Sequence, residues 1–210
     1  MFSEADLSQV LRSVSSGLKI PVIILLIFLI AVTIVILGTL IAEIFTERRY
    51  LKASMPALVD DIRDSSKPIE ETITNAKLLK RQKKALLEIT RHRELNNIMR
   101  ESLAVRLLAA EQAVYDKRTK TTDLIAKLGP MLGLLGTLIP LGPGIIALGQ
   151  GDTYTLSSAL LTAFDTTVAG LASAAVALII STVRKTWYNN YMSVLETLME
   201  CVLEEEKTDA

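Results

Sequence analysis

Long apolar runs alternate with a strongly charged stretch along this chain. No charged residue occurs from Pro21 to Ala42, and a helix of that length spans a hydrocarbon core about 30 Å thick. Two further apolar runs follow, at 128–149 without a charge and at 156–183 with Asp165 as the one charge. The pattern therefore predicts transmembrane helices at 21–42, 128–149 and 156–183.

The segment before the first span is amphipathic. Its apolar residues recur at helical spacing, which predicts a helix at 1–20 that lies in the membrane interface. They are Leu7, Val10, Leu11, Val14 and Leu18. The apolar run from Pro21 is too long for the core of a cleavable signal peptide, so the first span is expected to be permanent.

The stretch 43–127 contains eighteen Lys or Arg residues and is predicted to be a helical domain outside the bilayer. A turn is expected at 64–68, with Pro68 in the first turn of a long helix. That helix is expected to continue because neither glycine nor a further proline occurs before Gly129. The tail 184–210 is predicted to be a C-terminal helix that continues from the third span.

Basic residues set the predicted orientation. The stretch between spans one and two carries all eighteen of these cations, whereas the short loop 150–155 has none. Because basic residues favour the cytoplasmic side, the N-terminus and this loop are expected outside. The fold class is thus an all-α, multi-pass protein of the cell membrane, with long cytoplasmic helical extensions and a cytoplasmic C-terminus.

Composition narrows the classes of function. Cys201 and His92 are each the single residue of their type, so no Cys/His metal set, cofactor or disulfide is expected. The spans contain no histidine, cysteine or paired carboxylates, and the chain is not expected to be an enzyme. Glutamates alternate with the basic residues of 43–127, a pattern typical of a salt-bridged helix face, so nucleic acid is not an expected partner whereas membrane lipid is.

Small residues dominate the second and third spans. The second contains five glycines and three prolines between Gly129 and Gly144, which lipid-exposed helices tolerate only where neighbouring protein or water satisfies the backbone. The third is rich in threonine, alanine and glycine, which favour close helix contacts. We expect Gly133, Gly136 and Gly170 to lie at helix contacts.

Asp165 is the acid of the third span. A carboxylate near the centre of a membrane helix costs about 2.5 to 3.5 kcal/mol and faces a bundle interior or a cavity in most cases. It could relay protons to water. It could equally make a structural hydrogen bond to Thr162 or to a neighbouring subunit.

Two motifs resemble the MotA/TolQ/ExbB proton channel family. The run from Gly129 to Thr137, GPMLGLLGT, is similar to the family's "P-x-L-G-L-L-G-T" signature, and the third-span segment 162–171 is similar to its "T-T-x-x-G-L" segment. The layout of spans and basic insertion is similar to ExbB and TolQ. At the position of an ExbB glutamate this chain has Thr162, and Pro140, Pro143, Gly144 and Val176 also depart from the family pattern.

The resemblance implies a stator function. Five copies would surround single-span partners similar to ExbD, TolR or MotB, whose intramembrane acid carries the proton, and ion flow would move the partner. Thr137 and Thr167 correspond to the family's pathway threonines. The candidate ion pathway comprises Thr137, Thr167, Asp165, Thr166 and Thr162.

Two alternatives stay open from the sequence. One is a membrane oligomer or adaptor that organises partners without conducting, in which the threonines and Asp165 only seal helix contacts. The other is the same motor coupled to sodium, because hydroxyl and carbonyl oxygens also bind hard cations.

Overall fold

The computed structural model describes residues 4–47, 58–59, 69–76, 78–92 and 94–208. This described part contains five helices and no strand. They are α1 (Glu4–Glu47), α2 (Ile69–Asn75), α3 (Lys80–Arg91), α4 (Asn97–Gly149) and α5 (Thr153–Thr208). The predicted all-α class is confirmed.

Three of these helices have segments long and apolar enough to cross a membrane. The segments are Ser13–Phe45 in α1, Asn97–Gly149 in α4 and Thr153–Glu204 in α5. Three candidate spans therefore confirm the prediction of a multi-pass membrane protein. Their cytoplasmic or external ends and the predicted domain boundaries stay predictions.

Helix α1 continues without a break through Pro21. The described part of the predicted interfacial segment, residues 4–20, and the first span thus belong to one helix. Proline lacks the N–H that would bond the carbonyl of Gly17, and no atom beyond the helix backbone lies within 4 Å of where a Cβ on Gly17 would be. Helix α4 likewise continues through Pro140 and Pro143 to Gly149.

The long helix expected from Pro68 is divided into α2, α3 and the first part of α4. Polar side chains cap the new starts: the Leu79 N–H donates to Gln82 Oε1 at 3.1 Å, and the Met99 N–H donates to Asn96 Oδ1 at 2.8 Å. These local bonds satisfy N–H groups that each helix start leaves unpaired. The predicted turn at 64–68 lies outside the described residues.

A three-residue connection joins α4 to α5. Gly151 has a φ of +80°, which suits glycine, and the Thr155 N–H donates to Asp152 Oδ1 at 3.0 Å. The hydroxyl and then the backbone N–H of Thr155 lower the pKa of Asp152 by bonding its carboxylate. The aspartate therefore caps the start of α5 in its charged form.

The chain divides into two compact units, 1–39 with 120–182 and 40–119 with 183–210. In the first, which we call the span unit, Val22 and Leu26 of α1 pack against Ile139 of α4. Leu29, Ile125 and Ala177 form a second cluster of this unit, one residue from each long helix. Large apolar side chains such as Phe28 and Phe164 stay exposed, as expected for helices that contact lipid or other protein chains.

The second unit, which we call the polar unit, has its own apolar core. Buried residues of α2, α3, α4 and α5 form this core. Among them Ile73, Leu86, Ile89, Leu198 and Val202 have no exposed surface. Tyr115 stacks on Tyr188 with ring centroids 4.4 Å apart, and Gln82 Nε2 donates to the Tyr191 carbonyl at 3.0 Å.

Candidate functional site

Glycines bring α4 and α5 into backbone contact within the span unit. A Cβ added to Gly170 would lie 2.5 Å from the Gly129 carbonyl oxygen and 3.0 Å from the Gly133 Cα. A Cβ added to Gly136 would lie 2.6 Å from Thr166 Oγ1. No side chain fits at Gly170 or Gly136. The three glycines expected at helix contacts, Gly133, Gly136 and Gly170, therefore all lie at the contact between α4 and α5.

The candidate threonines each donate their hydroxyl proton to a carbonyl of their own helix. Thr137 donates to Leu134 at 2.7 Å, Thr162 to Ser158 at 3.0 Å, Thr166 to Ala163 at 2.9 Å and Thr167 to Ala163 at 3.0 Å. The donor capacity of each hydroxyl is used, while its oxygen can still accept hydrogen bonds. In this arrangement the threonines are acceptors toward the outside of the helix.

A hydrogen bond between α4 and α5 fixes the register of the pair. The Ser181 hydroxyl donates to Asp123 Oδ1 at 2.5 Å, so these two residues are level. Thr137 follows Asp123 by fourteen residues, and Ser181 follows Thr167 by the same number. Fourteen helical residues advance about 21 Å along the helix axis, and their rotation is about 40° less than four full turns. In antiparallel helices Thr137 and Thr167 are therefore level and on the same face.

This face, which we call the threonine face, lies away from α1. Ile139, which packs against Val22 and Leu26 of α1, follows Thr137 by two residues. Two residues turn a helix by about 200°, so the two side chains point in nearly opposite directions. The structure thus brings Thr137 and Thr167 together on the side of α4 and α5 that α1 leaves open.

Thr166 and Asp165 point elsewhere. Thr166 is buried against Gly136 in the helix contact. Asp165 precedes Thr167 by two residues, about 200° around α5, and is exposed on the other flank of that helix. Thr162 precedes Asp165 by three residues and shares that flank. The five candidate pathway residues therefore do not form one continuous line.

The Asp165 side chain makes no hydrogen bond or ion pair with any described residue. The hydrogen bond to Thr162 considered from the sequence is not formed, since the Thr162 hydroxyl donates to the Ser158 carbonyl. Its exposed neighbours Phe164 and Val168 are apolar. A carboxylate in such surroundings requires a polar group from beyond the described residues.

Residues 65–197 match the MotA/TolQ/ExbB proton channel family, which is more than half of the 210 residues. The chain belongs to this family. The matched region contains all the candidate pathway residues. A comparison with curated proteins gives no match. Family membership supports a proton channel function, and it agrees with the three candidate spans.

The polar unit contains an ion cluster that the sequence pattern did not predict. Arg184 Nε donates to Glu43 Oε2 at 2.9 Å, with the arginine side chain only 7% exposed. Arg118 Nη1 lies 3.7 Å from Glu43 Oε1. Glu43 is the first acid after the apolar run of α1, and Arg184 directly follows that of α5, so their positions at span ends were the available signal.

The Asp123–Ser181 pair was likewise not predicted from the sequence. Asp123 belongs to the charged stretch 43–127 and Ser181 to the apolar run 156–183, so the sequence pattern gives no reason to pair them. The equal spacing from Thr137 and Thr167 is informative only once the two helices are known to pair antiparallel. Among the described residues, no three His, Cys, Asp or Glu side chains lie together as metal ligands would.

Proposed function

We propose that this chain is the channel-wall subunit of an ion-driven stator in the cell membrane. Copies of it form a homo-oligomer, by resemblance to the family a pentamer, around a single-span partner whose membrane helix carries an acid. Protons pass along the threonine face and their flow moves the partner. The protein is a transporter of ions and not an enzyme, and it uses no cofactor.

The observation that carries this proposal is the threonine face itself. Thr137 and Thr167 are level on one open side of α4 and α5, and both hydroxyl oxygens can accept hydrogen bonds. Hydroxyls can pass a proton between water and an acid because they accept and donate without holding a charge. Leu134 and Leu138, each 59% exposed on α4, need an apolar cover such as a partner helix.

Prolines leave backbone carbonyls of α4 without their helical donors. Pro140 has no N–H, so it cannot bond the carbonyl of Gly136, which directly precedes Thr137. Pro130 likewise leaves the carbonyl of Ala126 without its helical donor. Such carbonyls persist in a membrane where water or protein satisfies them, which supports a hydrated face here.

The proposed orientation places the polar unit in the cytoplasm and the α4–α5 connection outside. Its support is the charge distribution, because the segment 150–155 lacks basic residues whereas Lys120, Lys127 and Lys185 lie near the inner ends of the spans. Asp165 then contacts a neighbouring copy or the partner. The family match supports work with partner proteins as a complex.

The test measures proton flux through the complex. The tagged chain is purified in mild detergent with the protein that stays bound, reconstituted into liposomes and driven by a potassium diffusion potential, with an internal pH dye as readout. Thr137→Val and Thr167→Val should each reduce the flux about 10- to 100-fold, since losing a hydrogen-bonding partner costs about 1 to 3 kcal/mol.

Thr39→Val is the matched control for these variants. Thr39 donates to the Ile36 carbonyl at 2.7 Å, three residues back, with the geometry of Thr137, but it lies on α1. Its flux should equal that of the wild type. Full flux in both test variants would overturn the threonine pathway. Flux that requires sodium and does not depend on pH would overturn the proton as the coupling ion. Absence of flux in the wild-type complex would refute the channel function and favour the non-conducting scaffold.

A further inference from the structure

We propose that Asp123, held by Ser181, is the inner proton-exchange site of the pathway, where protons that have passed the threonines are released to the cytoplasm. The inference rests on the proposed function and adds a carboxylate to it. It stands on the position of this pair in the helix register, on its burial and on the chemistry of its two side chains.

The pair lies at one end of the threonine face. Asp123 and Ser181 are level, and each is about 21 Å along its helix from Thr137 or Thr167. The exposed stripe of α4 between them repeats at helical spacing, through Lys127, Pro130 and Leu134. Because Lys120 and Lys127 flank Asp123, this end lies at the boundary where the span meets the cytoplasm in the proposed orientation.

The geometry suits a carboxylate that exchanges protons. Ser181 is 1% exposed and its hydroxyl points at the carboxylate, whereas Asp123 itself is only half-buried and can reach water. A proton arriving as hydronium binds the Asp123 carboxylate and leaves one water molecule behind. The carboxylic acid then gives that proton to a water molecule on the cytoplasmic side, which restores the carboxylate and the Ser181 bond.

The other acids of the span unit do not share this position. Of its described side chains, Asp165 lies on the opposite flank of α5 and Asp152 caps the far end of the same helix. Glu43 of the polar unit is held by Arg184 and Arg118. Asp123 is therefore the acid that the described structure places on the threonine face.

The test uses the same reconstituted complex. Asp123→Asn keeps the size of the side chain and its ability to accept the Ser181 hydrogen bond, but an amide does not bind and release a proton near neutral pH. We expect flux to fall about 10- to 100-fold, which corresponds to about 1.4 to 2.7 kcal/mol on the barrier. Asp123→Glu should restore at least a third of the wild-type flux because it returns the carboxylate.

A diffusible weak acid separates proton exchange from structure. Azide on the cytoplasmic side can bring and remove protons in place of the missing carboxylate, so it should raise the flux of Asp123→Asn severalfold. It should not raise that of Thr137→Val, whose defect lies elsewhere. Asp116→Asn, an exposed aspartate two turns earlier on α4, is the control and should retain full flux.

The outcomes distinguish this inference from the proposed function. A wild-type complex without flux refutes the function. Loss of flux in Thr137→Val together with full flux in Asp123→Asn refutes the exchange site alone. The exchange site is likewise overturned if the Asp123→Asn complex assembles and loses flux, azide does not raise that flux, and Asp123→Glu does not restore it. Asp123 would then be a structural residue.

Discussion

At the scale of single residues, hydrogen at the Cα of Gly170 is what permits α4 and α5 to touch. The atoms that a Cβ would meet are the Gly129 oxygen at 2.5 Å and the Gly133 Cα at 3.0 Å, and both belong to backbone. Backbone cannot rotate away as a side chain can. The sequence predicted a helix contact here from residue size but not which helix it met.

Replacing Gly170 by alanine should therefore separate the two helices. Overpacking of a tight contact costs about 1 to 3 kcal/mol, so Gly170→Ala should lower the unfolding midpoint of the protein in detergent. Gly142→Ala is the matched control, because nothing lies within 4 Å of its added Cβ. Alanine there favours the helix by up to about 1 kcal/mol. Equal stability of the two variants would contradict the contact.

Some residue properties were readable from the sequence and others were not. Composition alone marks Asp165 as an unusual acid in a span, because charge in lipid is costly wherever it points. The direction in which it points depends on which face of α5 meets α4. That contact is made by Gly129, Gly133 and Thr166, and it separates Asp165 from Thr167, two candidates that had been grouped together.

At the scale of helices, the three spans could be predicted because hydropathy over about twenty residues decides insertion. The breaks between α2, α3 and α4 could not, because the apolar stripe continues across them with no glycine or proline. The cap that starts α3 comes from Gln82, a residue type common throughout helices, and the cap that starts α4 comes from Asn96, a residue type that favours caps and turns alike. Only their contacts distinguish a cap from an ordinary surface residue.

In the polar unit, Glu43 of α1 forms a largely buried ion pair with Arg184 of α5. Removing one partner of a buried ion pair strands the other charge, which costs about 3 to 5 kcal/mol. Arg184→Met keeps the apolar stem but leaves Glu43 with only the partly exposed Arg118 at 3.7 Å. The variant should therefore lose less than a fully stranded charge would cost, about 1 to 3 kcal/mol, measured by denaturation in mixed detergent micelles.

Arg81 provides the comparison for this variant. It pairs with Glu111 at 2.9 Å, but its side chain is 47% exposed. Exposed pairs contribute about 0 to 1 kcal/mol, so Arg81→Met should have a small effect. If the two variants lost the same stability, burial would not be what makes the Glu43 pair important.

At the scale of the whole molecule, the proposed orientation can be tested with cysteine labelling. Cys201 is the one native cysteine, and Cys201→Ser gives a background without thiols. Gln150→Cys and Asn189→Cys place single exposed thiols in the α4–α5 connection and in the polar unit.

A maleimide that cannot cross membranes should label residue 150 in intact cells and residue 189 only in inverted vesicles. The expectation follows from the basic residues that favour the cytoplasmic side. Labelling of both thiols from one side would refute the orientation and with it the inner position of Asp123. Detergent-solubilised samples of both variants should label fully, which controls for reactivity.

The backbone contact at Gly170 also sets how the channel wall responds to force. Packed helices accommodate small displacements when side chains change rotamer, but Gly170 and Gly129 have no side chain to move. A slide of α5 by one turn, about 5.4 Å, would bring Thr166 or Ala174 into the seat of Gly170, where a Cβ does not fit. In the proposed stator, α4 and α5 thus move as one rigid pair that does not slide internally. The movement that ion flow produces is therefore a movement of the enclosed partner.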